Sequence, residues 1–317
     1  MPGAMADGTT ADVSLREARS VLRACRLCPR CCGADRLSGQ KGFCGAGDAP
    51  RVFRRGPHHG EEPPLSGTRG SGTVFFSRCT LACLYCQNFP WSQEGRGADW
   101  PPGRLAETLR ELRRAGCHNW NMVSPTPWLP WIVEALEAAK RDGPGLPVVY
   151  NTSGFERPQV LRALAGTVDV YLTDLRYARA ASAAEGSGFG GYAETAREAL
   201  RVMWAQAGPL RTDADGIATG GTICRLLVLP NRADEAVANL EWIAATVGTE
   251  LAVSVMAQYV PAHRAAATPS WERPVTREEY GRVCDAAERL GFDNGWIQDF
   301  GRRTPDELVG YRMREDT

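Results

Sequence analysis

Three cysteines stand close together in the run Cys79-Thr80-Leu81-Ala82-Cys83-Leu84-Tyr85-Cys86, a Cys-x3-Cys-x2-Cys spacing. Thiolates this near one another can hold three irons of a [4Fe–4S] cluster and leave the fourth iron open. An open metal position is what catalysis requires, whereas structural sites are fully ligated. A zinc ion borrowing its fourth ligand from elsewhere is the alternative for the same spacing. Upstream, Cys25, Cys28, Cys31, Cys32 and Cys44 crowd a second group. Four thiolates there suit tetrahedral zinc or a second Fe–S cluster, and spacing alone does not separate the two. Cys117, Cys224 and Cys284 are scattered through strand-like or helical apolar patterns, where a lone cysteine is ordinarily part of the core.

The elements that must position these thiols begin at Thr73. Strand-like runs cover Thr73–Ser77, Asn119–Ser124, Pro147–Thr152, Val168–Asp174, Thr222–Pro230 and Leu251–Tyr259, with a weaker Gly295–Asp299. Helical stripes lie between them. Leu105, Leu109 and Leu112 mark one, Ile132, Leu136 and Ala139 another, and Val237, Leu240 and Val247 a third. Thr276 and Glu279 have capping-box spacing, with Val275 and Tyr280 placed as a hydrophobic staple. Alternating βα units predict an α/β fold with a parallel sheet covered by helices, barrel-like or doubly wound. The Gly-, Ala- and Ser-rich stretch Ala180–Tyr192 reads as a loop. Residues 1–70 read as a cysteine-rich appendage organised by metal, 71–300 as the α/β unit and 301–317 as a polar tail.

Polar residues collect where the predicted strands end: Ser124 and Thr126, Asn151 and Thr152, Asp174 and Arg176, and Gln258. In parallel α/β folds those ends open on one face, where active sites lie. The three-cysteine run follows the first strand and so meets the same rim.

The composition excludes several classes of function. With 317 residues, 43% of them hydrophobic and 23% charged, the chain can build a core without disulfides. Lys+Arg 37 against Asp+Glu 37 leaves no electrostatic footprint for nucleic acid or an anionic membrane. Only Lys41 and Lys140 are lysines, and the arginine excess reads as codon bias. No apolar run approaches the roughly 20 residues that span a bilayer. The first residues lack a basic stretch followed by an apolar core, so a cytoplasmic location is expected and the 11 cysteines read as metal or redox chemistry.

The three-cysteine run resembles that of the radical S-adenosylmethionine (SAM) superfamily, and the likeness continues around it. Gly70-Ser71-Gly72-Thr73-Val74-Phe75-Phe76-Ser77 before it and Gln87-Asn88 after it are similar to members of the pyruvate formate-lyase-activating-enzyme-like subgroup. So are Gly56-Pro57-His58-His59-Gly60-Glu61-Glu62-Pro63-Pro64-Leu65-Ser66-Gly67, His118-Asn119, Val149-Tyr150-Asn151-Thr152-Ser153-Gly154, Leu227-Val228-Leu229-Pro230 and Met256-Ala257-Gln258-Tyr259. The resemblance spans about Cys25 to Asp299. It implies a partial (β/α)6 barrel, a [4Fe–4S] cluster on Cys79, Cys83 and Cys86, and SAM chelated at the open iron. Reductive cleavage of the sulfonium then gives methionine and a 5′-deoxyadenosyl radical that abstracts hydrogen, an oxygen-sensitive oxidoreductase chemistry.

By position, the resemblance places Tyr85 on the adenine and Ser124, Thr126 and Asn151 at the amino group or ribose. It also sets Gln258 at the rim of the site. Asp174 and Arg176 resemble the family's Asp-x-Lys, with Arg in place of Lys at the methionine carboxylate. Arg225, in an otherwise apolar strand, needs an anion to be buried, and the SAM carboxylate is the candidate. The chain departs from the usual pattern at Ser77-Arg78-Cys79-Thr80 and at Pro125-Thr126-Pro127, which bears on substrate. Cys25, Cys28, Cys32 and Cys44 resemble the subgroup's N-terminal set, with Cys31 in its variable position, for zinc or a second cluster. His58 and Glu61 could reach the mouth of the barrel. The implied activity is activation of a glycyl radical enzyme, served by a low-potential donor such as flavodoxin or ferredoxin. Radical modification of a small molecule or peptide is the alternative, and a non-catalytic Fe–S or zinc module is the reading from another class.

Overall fold

The computed structural model describes residues 19–301 together with 310, 313 and 314. The expected polar tail therefore lies almost wholly outside the described residues. β1 (Arg51–His58) runs antiparallel to β2 (Ser71–Phe76), and the connection between them carries a single helical turn, α1 (Pro63–Ser66). The cysteine run follows β2. A short α2 (Phe89–Ser92) then leads to β3 (Ala98–Asp99), which pairs with the outer edge of β1.

From there strands and helices alternate: α3 (Arg104–Arg114), β4 (Trp120–Val123), α4 (Leu129–Arg141), β5 (Val148–Thr152), α5 (Pro158–Ala163) and β6 (Val170–Asp174). Two helices follow β6, α6 (Ala180–Ser187) and α7 (Tyr192–Ala207). The chain continues through β7 (Arg211–Thr212), β8 (Ala218–Leu227), α8 (Ala233–Thr246), β9 (Ala252–Met256), α9 (Arg277–Arg289) and β10 (Gly295–Ile297). The sheet order is β10-β9-β8-β6-β5-β4-β2-β1-β3, parallel from β2 to β10 and antiparallel at β1 and β3. β10 and β3 form the two edges, so the α/β fold is a partial barrel. All the strands expected from Thr73 onward are present.

Strand alternation sorts the side chains between two environments. Val74, Phe76, Trp120, Met122, Val148, Tyr150 and Tyr171 face the helices and join Leu105, Leu109, Leu112, Ile132, Leu136 and Ala139 in one core. The other set faces the barrel interior. At its base Val149, Val170, Leu172, Ile223 and Ala252 close around Leu65 of α1, which plugs the barrel from below. One step further along the strands the interior turns polar, at Thr73, Asn121, Asn151, Asp174, Arg225 and Ser254. The register sets Asp174 beside Arg225 and Arg225 beside Ser254.

Thr276 and Glu279 close the expected capping box at the start of α9, and Val275 and Tyr280 enter the same apolar cluster. Cys117 and Cys224 are buried in the core, and Cys284 is half-buried at its edge. The strand β1 also extends the sheet down to residue 51, well inside the span expected to be an appendage.

Ala180–Tyr192 is not a loop but the helix α6, a left-handed cap at Gly188 and the first residue of α7. Its alanines are strong helix formers, and the carboxylate of Glu235 caps its start by accepting from the Ala178 and Arg179 amides, both at 2.9 Å. Gly186 misleads because its reason is packing rather than flexibility. A Cβ there would lie 2.8 Å from Tyr177 Cζ and 2.9 Å from Trp271 Cη2. Gly186→Ala therefore sets a helix-propensity gain of about 1 kcal/mol against an overpacking cost of about 1–3 kcal/mol. A lower urea midpoint is expected. A raised midpoint would show that the two rings can yield.

Candidate active site

The residues between β2 and α2 form a loop held in an unusual backbone shape. Arg78 and Ala82 have φ of 75° and 59°, a left-handed conformation that favours glycine. The loop carries Cys79, Cys83 and Cys86 into one cavity of about 590 Å³, whose lining also includes Tyr85, Asp174, Arg176, Glu61, Glu62 and Arg225. The Leu81 amide donates to Cys79 Sγ at 3.4 Å, and Arg176 Nη1 donates to Cys83 Sγ at 3.3 Å. Cys86 Sγ lies 3.3 Å from Ser92 Oγ, and Gln93 Nε2 donates to the Cys83 carbonyl at 2.8 Å. Burial pushes the Cys86 thiol up to about 12, reinforced by Cys83 and Cys79 beside it. Burial raises Cys83 too, with Cys79 adding to the effect.

On the opposite side of the cavity a second group of charges forms the floor. Arg225 grips Glu62 bidentately, Nε to Oε1 at 2.8 Å and Nη2 to Oε2 at 2.6 Å, and its Nη2 also meets Glu61. Asn121 and Asn151 donate to Glu61 Oε1 at 2.9 and 3.2 Å. Burial opposes ionisation of Glu62, but Arg225 outweighs it and holds the carboxyl below its usual range. Arg225 therefore has the anion that its burial requires within the chain, in Glu62 and Glu61, while lining the same cavity as the cysteines. Glu61 sits on the floor rather than at the mouth. His58 lines the same cavity, with its basicity lowered first by burial.

The remaining expected residues divide. Asp174 and Arg176 lie at the rim and pair with each other, so the cation meets a carboxylate two residues away. Ser124, Asn151 and Gln258 line the cavity. Gln258 accepts from Gln298 Nε2 at 3.3 Å, and Gln87 Nε2 donates to its carbonyl at 2.8 Å. Tyr85 lines it as well, but one face of its ring is stacked on Trp271, with centroids 5.3 Å apart. Thr126 is the exception and is a correction: it points to the helix side of the sheet and donates to Glu156 Oε1 at 2.6 Å.

Glu156, Glu62, Asn121 and Arg30 escaped the sequence reading. Glu62 had a readable signal, a second acid directly before Pro63-Pro64. Glu156 is fully buried, accepts from Thr152 Oγ1 at 2.5 Å, and its Oε2 lacks a partner. Burial, with no cation to offset it, pushes its carboxyl up to about 7.

Upstream, burial pushes Cys28 up to about 12, with Cys44, Glu156 and Cys25 adding to it. Cys44 is raised by burial and then by Cys25 and Cys32. Cys25, Cys28, Cys32 and Cys44 thus share one electrostatic neighbourhood, with Cys25 and Cys28 buried, Cys44 half-buried and Cys32 exposed, as Cys31 is. Among the described residues no three His, Cys, Asp or Glu side chains close around a single-ion position. A [4Fe–4S] cube spreads its ligands wider than one ion does, so this does not count against Cys79, Cys83 and Cys86.

Residues 73–180 match the Radical SAM superfamily. That match covers about a third of the chain: most of the strand before the three cysteines, the cysteine loop and the sheet as far as β6. An uncharacterized protein of Methanocaldococcus jannaschii, MJ0674, is 26% identical over 292 residues, 89% of this chain and 79% of its own length. SuiB of Streptococcus suis bound to S-adenosylmethionine is similar at a TM-score of 0.46 and 12% identity, covering 70% of this chain and 48% of SuiB. HydG, a maturase of the [FeFe]-hydrogenase, is similar at 0.48 and 13% identity, covering 74% of this chain and 52% of HydG. The chain spans about half the length of those two structures.

The family implies a [4Fe–4S] cluster and SAM. The donor set fits the cluster: three soft thiols on one loop face one cavity, and burial together with the neighbouring thiols makes Cys83 and Cys86 harder to ionise, a cost that cluster iron would reverse by taking them as thiolates. Among the described residues no helix is long and apolar enough to cross a membrane.

The raised Glu156 carboxyl makes stability depend on pH. The folded state keeps a proton that the unfolded chain releases above about 4.5, so stability falls as pH climbs from there through about 7. Glu156→Gln removes that dependence. Its unfolding midpoint is expected to gain on the unaltered protein between pH 5 and 8, on the order of 1–3 kcal/mol. Parallel pH profiles of the two proteins would place the raised carboxyl elsewhere.

Proposed function

We propose that the chain is a radical SAM enzyme whose substrate is a small polar molecule, or a peptide presenting a polar side chain, that enters the barrel interior. The observation that carries this is the shared cavity. The three cysteines at its rim face a floor built from Glu61, Glu62, Arg225, Asn121 and Asn151, and a buried charged floor recognises polar groups by hydrogen bonds rather than by shape alone. Hydrogen abstraction from a glycine of a partner protein, the activase reading, needs only bare backbone at the reacting position and gives the floor no task.

The chemistry supplied by the bound cluster and SAM is reductive cleavage of the sulfonium, which yields a carbon radical able to take hydrogen from substrate. Cys79, Cys83 and Cys86 would hold the cluster. Asp174 orients Arg176, and that guanidinium supports Cys83. Tyr85, Ser124, Asn151 and Gln258 serve as SAM contacts. The plug of Leu65 among Val149, Val170, Leu172 and Ile223 keeps water from entering below. Cys25, Cys28, Cys32 and Cys44 would hold zinc or a second Fe–S cluster, and a low-potential donor supplies the electron.

Anaerobic reconstitution with SAM and a strong reductant, assayed for 5′-deoxyadenosine in the presence of size-fractionated cell extract, tests this. Stimulation by the small-molecule or peptide fraction is expected, and stimulation only by the protein fraction would favour the activase. Cys83→Ala is expected to reduce 5′-deoxyadenosine at least a hundredfold. Product persisting in that variant would remove the cluster assignment.

A further inference from the structure

Arg30 lies between Cys28 and Cys32 in the N-terminal cysteine group, yet its guanidinium reaches out of that group altogether. It donates to four main-chain carbonyls on two other segments. Two belong to the loop between Cys79 and Cys83: Nε to Thr80 O at 3.3 Å and Nη2 to Leu81 O at 3.2 Å. Two belong to the end of α6: Nη2 to Ser187 O at 2.9 Å and Nη1 to Gly188 O at 3.1 Å. The latter pair are carbonyls that a helix leaves without an internal partner at its C-terminus, where a cation is favoured. Phe43, one residue before Cys44, covers the guanidinium at 3.7 Å, which accounts for so exposed an aromatic ring. Phe189 and Phe155 flank it at 5.2 and 5.6 Å.

The consequence lies in which way the loop's peptide groups point. Arg30 draws the carbonyls of Thr80 and Leu81 outward, and Arg264 Nη2 takes the next one, Ala82 O, at 3.2 Å. With three successive carbonyls held on the outside, the amide of Leu81 is left facing inward and donates to Cys79 Sγ. Amide hydrogen bonds to cysteine sulfur, and nearby positive charge, stabilise the more negative, reduced state of an Fe–S centre. Arg30 fixes the peptide group that makes the one, through Thr80 O, and brings the other to the outer side of the same loop.

We propose that Arg30 is a positioning residue that ties the N-terminal cysteine group to the cluster loop, holding the Leu81 amide toward the Cys79 sulfur and raising the reduction potential of the centre the loop surrounds. The proposal rests on the radical SAM reading only for the potential. The ordering of the loop is a property of the chain itself.

The test uses the full-length protein and the variants Arg30→Gln and Arg30→Lys. Hydrogen exchange of the 80–84 amides is followed with and without iron, and the reduction potential of the reconstituted cluster is measured by spectroscopic titration. Arg30→Gln is expected to speed exchange of these amides at least tenfold and to shift the potential to a more negative value. Arg30→Lys keeps the charge without the planar fork, so it recovers part of the potential but not the slow exchange. Unchanged exchange and unchanged potential in Arg30→Gln overturn the proposal. If that variant does not fold, Arg30→Lys decides by itself, since exchange as slow as in the unaltered protein would overturn the clamp. Failure of every protein to assemble a cluster would count against the radical SAM reading, while the exchange measured without iron still decides on Arg30.

Discussion

A guanidinium in the middle of the barrel dictates much of what surrounds it. β8 is an apolar strand whose inward side brings Arg225 between Asp174 and Ser254, with only 14% of its side chain exposed. Such a charge is tolerated only with an anion and hydrogen bonds, and removing one partner of a buried pair typically costs about 3–5 kcal/mol. Glu62 answers it with a bidentate contact that matches the planar fork. To deliver Glu62 there, the chain leaving β1 must turn beneath the barrel. Pro63 and Pro64 start α1 at positions where a missing amide is harmless, and Leu65 is driven into the apolar base. The antiparallel pairing of β1 with β2 is what that route requires.

The same chemistry recurs around the cysteines. Lys41 and Lys140 are the only lysines, and the structure gives the arginine excess a use that codon bias leaves out. Arg36 is almost wholly buried, donates to Gly47 O at 2.9 Å and to Pro127 O at 2.7 Å, and stacks near Trp128 and Trp131. It fastens the N-terminal residues to the segment after β4, as Arg30 fastens them to the cluster loop. Each of these contacts uses several donors in one plane, which an ammonium does not offer. The cysteine loop is consequently held from outside by arginines, and its strained residues Arg78 and Ala82 persist because the surroundings over-determine them.

The sheet was legible because its strands are buried on both faces and read as apolar runs, and the rim was legible because polar residues end those runs. Which way each polar residue points was not. Thr126 follows β4 as directly as Ser124 does, yet it turns to the helix side because the buried Glu156 is there to accept its hydroxyl. Nor could sequence distance show that the anion for Arg225 sits 163 residues earlier. Ala180–Tyr192 misled for another reason: glycine was read as backbone freedom, when Gly186 answers to Tyr177 and Trp271 across the fold. Local composition carries no record of contacts of that kind.

The two charged layers of the cavity differ in how they can respond to a ligand. On the floor, Glu61 already accepts from two asparagines and Arg225, and Glu62 is held by two contacts, so the groups are fixed before anything enters. Preorganised groups pay little reorganisation cost on binding. At the rim, Arg176 is paired with a carboxylate only two residues away and with the sulfur of Cys83. That pairing is local, and it can be rearranged without disturbing the sheet. The floor is therefore the rigid layer of the cavity and the rim the adjustable one. The separation follows from the strand register, which sets Asp174 beside Arg225 and leaves Arg176 just past the end of β6.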